Sequence, residues 1–478
     1  MFEFPHFSFM APELFLLGMT LFTIVVHLML PASQRFVIYG LVQLTVLGTA
    51  LLSGALFHHP KAITFSGHFV LDPLGSLLKC AMDVALLVVF VYSRDFLRSR
   101  QIPWGEFYIL GLFALLGMHT LVSAGSFVTL FLGLELFSLP LYALIALQRE
   151  SAVASEAAMK YFVMGAVASG MLLYGISMVY GATKALDMQV VFQAISALPV
   201  EQTLILIFGL VFMTVGIAFK LGMVPFHMWV PDVYEGAPSV VTLFIATVPK
   251  VAALGLAIRL LVDTMPYYHV EWQQMFIVIA LLSIGLGNMV AILQTNLKRL
   301  LAYSSIAHMG YMAFGLIAGT PEGYSAAVFY MLVYGLMSLG AFGMMVLLSK
   351  LDKPMETMDD FKGLHHRNPW LAFLMLLILF SMAGIPPTVG FFAKMAVLEA
   401  LVSVHLVWLA AAAIVFAIVG AYYYLRIVKV MYFDEAMDKT PLVVGALDMR
   451  LVLSLNGLMV LALGLFPSGL FMLCRGVF

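Results

Sequence analysis

Residues 218–250 read AFKLGMVPFHMWVPDVYEGAPSVVTLFIATVPK. Lys220 and Lys250 sit in runs otherwise apolar enough to cross a bilayer, with Pro225, His227, Pro231, Asp232, Glu235 and Pro238 between them. A cation at the bilayer centre costs about 2.5–3.5 kcal/mol on insertion scales, so a lysine kept there marks a functional site. Proline in a spanning helix frees backbone carbonyls, which survive only where protein or a water-lined cavity covers them. The stretch therefore calls for a broken membrane helix with cations gathered at the break.

Working outward, the 478-residue chain is 63% hydrophobic and 10% charged, with mean hydropathy +1.05. Soluble domains carry about 25% charged residues, so this is an all-α polytopic membrane protein. A net charge of −1 offers no basic surface for nucleic acid. Cys80 and Cys474 lie in apolar segments without CxxC or histidine spacing, which argues against metal, iron–sulfur and disulfide chemistry. Neither GxGxxG nor a Walker motif occurs, so no cofactor is expected. Met1–Pro5 lacks a basic n-region, so no cleavable signal peptide is expected.

At about 20 apolar residues per crossing, about 14 helices are expected. They span 11–30, 36–57, 74–93, 106–122, 125–147, 157–180, 202–231, 239–262, 272–294, 300–318, 324–349, 370–402, 405–430 and 450–473. The seventh and twelfth windows are long and interrupted, at Gly222 to Pro225 and Gly384 to Pro387. Residues 58–72 alternate weakly and read as a short β-hairpin outside the membrane, and WVPDVYEG reads as a loop.

Lysine and arginine fall in loops after odd-numbered helices: Arg35, Arg94, Arg98, Arg100, Arg149, Lys298, Arg299, Lys350, Lys353, Lys362, Arg367, Arg426, Lys429 and Lys439. Even-numbered loops hold little beyond Lys61 and Lys184. Positive residues mark the cytoplasmic side, so both termini are expected on the outer face.

The chain divides into helices 1–3 (1–105), a first five-helix repeat (106–262), a second repeat (263–430) and helix 14 (431–478). With five crossings each, the second repeat must be inverted, and the two broken helices fall fourth in each. Broken helices in corresponding halves point to a transport site in inverted-repeat carriers. A weak echo pairs 157–169 with 326–338.

The candidate site residues are Glu135, Lys220, Lys250, His308, Lys394 and His227. Glu135, mid-helix 5, reads as the partner of Lys220, with a structural ion pair as the alternative. Desolvation or an opposite charge tunes a lysine's affinity for its proton. Lys250 follows Pro249 at a depth where snorkelling is poorly available. Lys394 lies beyond the second break, as a terminal relay or a snorkelling residue. His308, with Ser304, Ser305 and Tyr311 nearby, is a relay or a satisfied structural histidine. His227 is read equally as water-contacting or structural. Lys160 is expected to snorkel and Asp83 to be structural. Ammonium and imidazole groups pass protons, whereas sodium and potassium want oxygen ligands, so the pattern describes a proton path.

Four segments carry a resemblance: FLGLELFSLPLYAL around Glu135, FKLGMVPFHMWVPDVYEGAP from Lys220, TNLKRLLAYSSIAHMGY around His308 and SMAGIPPTVGFFAKM ending at Lys394. Over nearly its whole length the chain resembles the antiporter-like membrane subunits of respiratory complex I, Mrp-type cation/proton antiporters and membrane-bound hydrogenases. It is most similar to the N-type branch. Lys394 stands where the M-type carries glutamate, and the chain stops at Phe478 where the L-type continues into a lateral helix. The resemblance implies a proton channel without a redox centre on this chain, in a bacterial inner membrane. Glu135 and Lys220 would respond to the quinone-site signal, Lys250 and His308 would connect, and Lys394 would be the outlet. It implies other membrane subunits and lipids as partners, with quinone involved only indirectly. A sodium/proton antiporter, a structural scaffold and a quinone-binding module are the rival readings.

Overall fold

The two lysine-flanked breaks are the features around which a computed structural model of the chain is built, and it describes residues 6–31, 36–100, 102–196, 200–349, 355–435 and 445–478. Arg35, Lys350, Lys353 and Lys439 of the loop-charge pattern, and Met1–Pro5, lie outside these residues. Helices α1 (Ala11–Met29), α2 (Phe36–Ala55) and α3 (Pro73–Ser99) precede a first group. That group holds α4 (Trp104–Val122), α5 (Phe127–Ile145), α6 (Ala152–Thr183), the short α7 (Met188–Ile195), α8 (Val200–Leu221), α9 (Trp229–Gly236) and α10 (Ser239–Ala257). The second group holds α11 (His269–Leu293), α12 (Leu297–Ala318), α13 (Pro321–Leu348), α14 (Leu364–Arg367), α15 (Pro369–Ala383), α16 (Val389–Ser403) and α17 (Val407–Tyr432). The described chain ends in α18 (Leu447–Leu465) and α19 (Ser468–Arg475).

Thirteen of the described helices are long and apolar enough to cross a membrane. The remaining expected crossing is split between α15 and α16, each too short to span alone. The expected hairpin is present: β1 (Ala62–Thr64) pairs antiparallel with β2 (Phe69–Leu71), Ile63 opposite Val70. It packs beside the α4–α5 loop through a bridge from Phe69 to Ala124, and this side is called the hairpin face. WVPDVYEG, expected as a loop, is instead α9. Pro231 stands in the first turn of that helix, where its missing N–H costs nothing, so it does not prevent a helix.

Paired anchors relate the two groups. Ser126 caps α5 and bridges Asp187 beyond α6; Asn296 caps α12 and bridges Thr357 beyond α13. The two partners are the same number of residues apart in both cases, and the bridges lie at opposite ends of the helix stack. An inverted repeat requires that arrangement.

Every residue of α10 is buried, as is all of α12 except Arg299 and Tyr303. These two helices, with α13 between them, are the centre against which both broken helices pack. The periphery exposes large apolar side chains such as Leu44, Leu51, Ile418 and Leu455. An apolar exterior around a polar-studded centre is what a bilayer solvent selects.

Candidate functional site

At the first break, Gly222 takes a left-handed conformation (φ 73°) that glycine adopts without strain, and Pro225 follows. A proline cannot donate to the carbonyl four residues back, which here is that of Leu221. The ammonium of Lys250, reaching across from α10, takes that carbonyl. Trp229 packs at the same break, its Nε1 donating to Phe219 O at 3.0 Å. The Lys250 ammonium lies 5.6 Å from the centre of the Trp229 ring, within cation–π range.

The second break repeats the logic. Gly384 is left-handed (φ 85°) and precedes Pro386 and Pro387, whose i−4 carbonyls belong to Met382 and Ala383. Lys394 Nζ donates to both, at 3.1 and 2.8 Å. Lys394 is thus held at the end of α15 and does not snorkel. Its ammonium lies 5.2 Å from the Tyr311 ring.

Lys220, on the last turn of α8, donates to Ser138 Oγ at 2.7 Å and faces Phe137 at 5.0 Å. The expected ion pair with Glu135 is not formed among the described residues. Glu135 lies one helical turn before Ser138 on α5, and its Oε1 is buried without a partner. The serine hydroxyl occupies the place assigned to the carboxylate, because Ser138 lies one turn further along the same helix toward the break.

Between the breaks, His308 is buried in α12. Its Nδ1 lies 2.8 Å from the Tyr330 hydroxyl and its Nε2 3.1 Å from that of Tyr424, which also contacts Ser304. The Tyr334 hydroxyl lies 2.7 Å from Ser305 Oγ and 3.2 Å from the carbonyl oxygen of Ala246, one turn before Lys250. Tyr330 stacks on Tyr311, which faces Lys394. Polar contacts thus group Ser138 with Lys220, Leu221 O with Lys250, and Ser305, Tyr334, His308, Tyr330 and Tyr424 between the breaks, with Tyr311 beside Lys394. Tyrosines supply most of the middle, and the sequence reading missed Tyr330, Tyr334 and Tyr424. Their signal was spacing, since Tyr330 and Tyr334 lie one turn apart on α13.

His227 stands apart from this chain. It is half-buried between exposed Pro225 and Met228, with Nδ1 unpartnered. Lys160, expected to snorkel, is exposed and paired with Glu156 and Asp232, each at 2.9 Å. Arg299 holds Asp232 at 3.0 Å and Glu235 at 2.8 Å, and Lys298 holds Glu356 at 3.0 Å. Burial alone would raise the Asp232 carboxyl's affinity for a proton, but Lys160 and Arg299 outweigh it and hold its pKa below the usual carboxylate value. Among the described residues no group of three or more His, Cys, Asp or Glu side chains is placed to hold a metal ion, and the donor set at the breaks is one of ammonium, imidazole and hydroxyl groups.

The fold and this interior define a polytopic membrane protein of the broken-helix, inverted-repeat type. Residues 124–420 match the family described as NADH:quinone oxidoreductase/Mrp antiporter, TM. The chain belongs to that family. It is 54% identical to NADH-quinone oxidoreductase subunit N of Thioalkalivibrio sulfidiphilus, covering 99% of each chain. It superimposes with a TM-score of 0.83 on a chain of respiratory complex I from Thermus thermophilus, at 30% identity over 97% of this chain and 100% of that one. The Mrp complex from Dietzia sp. DQ12-45-1b shares the fold, with a TM-score of 0.83 at 19% identity over 98% and 96% of the two chains.

Proposed function

We propose that this chain is a proton-translocating membrane-arm subunit of an NADH:quinone oxidoreductase, moving protons along its buried centre while electrons pass through partner subunits. One observation carries the reading: at each break a lysine ammonium takes the carbonyls that proline leaves without a donor. Loss of a proton from Lys250 or Lys394 removes a charge that those carbonyls stabilise, so proton occupancy is coupled to the geometry of the break. Lys220 is the entry group beside Ser138 and Glu135, Lys250 and His308 with its tyrosines form the connection, and Lys394 is the outlet. His227 is left to an auxiliary place at the rim of the first break. The chain itself is assigned no electron-transfer step.

The family membership and the similarity to subunit N support assembly with antiporter-like and small helical membrane subunits, in a bacterial cytoplasmic membrane with lipids around the apolar exterior. The boundaries 106–262 and 263–430 fit the two repeats, supported by the paired bridges at Ser126 and Asn296. Both termini face outward, supported by the concentration of Arg94, Arg98, Arg149, Arg299, Lys362 and Arg426 on the face opposite the hairpin.

Lys220→Ala and Glu135→Ala in the assembled complex, reconstituted in liposomes, are expected to abolish proton pumping while assembly survives. Full pumping by both variants would overturn the proposal. Sodium-dependent exchange by the purified chain without its partners would instead move the reading to an Mrp-type antiporter.

A further inference from the structure

Four ionisable side chains lie buried in the first four helices, away from both breaks. Glu13 is near the start of α1, Lys79 and Asp83 stand one turn apart on α3, and His119 lies in the last turn of α4. Lys79 Nζ meets Glu13 Oε1 at 2.5 Å, and His119 Nε2 meets Asp83 Oδ1 at 2.9 Å. The same imidazole turns Nδ1 toward Glu13 Oε1 at 3.9 Å, and Nδ1 has no hydrogen-bond partner. Ser53 of α2 donates to Asp83 Oδ2 at 3.3 Å. Glu13 and Lys79 are almost closed off, Asp83 and His119 completely. Read from the sequence, only Asp83 stood out, because Glu13 and His119 fall at helix ends where a polar residue usually reaches water.

The charges in this cluster do not balance without a proton. Two carboxylates face one ammonium, so a neutral imidazole leaves one uncompensated negative charge in a site closed to solvent. An unpaired buried charge is far costlier than a paired one. Among the described residues no neighbouring element supplies the missing positive charge. From α2 only hydroxyls face the cluster, from α3 also the Cys80 thiol, and from the hairpin the Phe69 ring, 5.0 Å from Lys79 Nζ. Arg259 beyond α10 is engaged by Asp72 and Asp263, and Glu322 of α13 is exposed. One proton resolves the imbalance, and the histidine is placed to carry it between two carboxylates.

We infer that Glu13, Lys79, Asp83 and His119 form a second proton-binding site, separate from the lysine chain, which holds one exchangeable proton on the His119–Asp83 pair and faces the hairpin side. Uptake places the proton on the imidazole, with Nε2–H donated to Asp83 and Nδ1–H directed at Glu13; release returns the ring to neutral. Beyond Val70 of β2 and Ala124, just past α4, lies a cavity of about 350 Å³ lined in part by Lys61, Asp187, Arg259 and Asp263. That cavity gives the cluster the shorter way to water. Use of the site in pumping rests on the proposed function; its existence does not.

The test is infrared difference spectroscopy of the intact complex at rest across the neutral pH range, with ring-labelled histidine. Wild type is expected to show an imidazolium signal absent from His119→Gln. In His119→Gln the proton moves to Asp83, so a protonated-carboxyl band appears, and it disappears again in the His119→Gln/Asp83→Asn double variant. Asp83→Asn alone leaves Glu13 balanced by Lys79 and is expected to bind one proton fewer. If wild type lacks the imidazolium signal, or the carboxyl band fails to appear in His119→Gln, the inference is overturned. Both readouts are taken without turnover, so failure of pumping by Lys220 variants leaves them unaffected.

Discussion

The two breaks solve one problem with lysines from different places. At the first, the capping cation comes from α10, a neighbouring helix buried along its whole length, and the break is closed by Trp229. At the second, Lys394 comes from the second half of the same broken helix. It is only partly buried and lines a cavity of about 630 Å³ together with Tyr311, Gly384 and Ile385. The histidine and the serine obey the same contrast. Counted from the caps Ser126 and Asn296, Ser138 and His308 occupy the same position in corresponding helices. Ser138 meets a lysine, whereas His308 meets two tyrosines. A sealed break whose cap is borrowed can be switched only by moving helices against each other. A break that carries its own cap can be rearranged within one helix pair.

The largest test of this contrast is removal of the caps. Lys250→Met and Lys394→Met are each expected to lower pumping by about 10²-fold or more, the scale on which a placed proton-transfer group acts. Measured by thermal unfolding of the complex, Lys250→Met should also destabilise by about 1–3 kcal/mol, because Leu221 O is left buried without a donor. Lys394→Met should destabilise less, since Lys394 is itself only partly buried and its carbonyl partners lie at a helix end open to a cavity. Equal losses of stability would break the comparison.

A methyl group at each left-handed glycine probes the same difference. Both Gly222→Ala and Gly384→Ala carry a conformational penalty of about 1–2 kcal/mol. At Gly222 the added carbon would also lie 2.6 Å from Val230 Cγ2 and 2.9 Å from Lys250 Nζ, in fixed surroundings. At Gly384 it meets only the flexible stem of Lys394, at 2.8 Å. Gly222→Ala should therefore lose more stability and more pumping than Gly384→Ala, and the reverse order would sink the distinction.

Much of this was legible in the sequence. Hydropathy, the two glycine–proline interruptions and the buried lysines followed from residue type and spacing, because a bilayer leaves few alternatives. What each cation touches was not legible. The pairing of Glu135 with Lys220 was inferred from charge, while the fold aligns Ser138 instead, a shift of one helical turn. WVPDVYEG reads as a loop by its turn residues, whereas the chain there forms α9. The cluster at Glu13 needed four helices brought together, which no local pattern announces.

Away from the breaks, Arg259 clasps Asp72 bidentately at 2.6 and 2.8 Å on the hairpin face. Burial pushes the Asp72 carboxyl up, but Arg259 and the Gly75 N–H more than reverse this, leaving its pKa below normal. A lowered folded pKa contributes stability that is whole above the ordinary carboxylate value of about 3.9 and is lost as pH falls through the folded value. Wild type should therefore lose more stability than Asp72→Asn on acidification below about pH 4, read as the unfolding temperature of the complex. Parallel pH profiles would contradict it. The smallest effect is expected at the opposite face, where Asp232→Asn should cost about 0.5–1 kcal/mol because its partners are partly exposed.

Those partners join the two halves of the molecule. Asp232 and Glu235 ride on α9, just past the first break, and Arg299, which grips both, starts the helix that carries His308. Lys298 adds a strap to Ala237 O at 2.8 Å. The root of α12, more than two turns below the imidazole, is thus fixed to α9 by ion pairs and a hydrogen bond. The link holds the two groups of helices together independently of the polar contacts at the breaks.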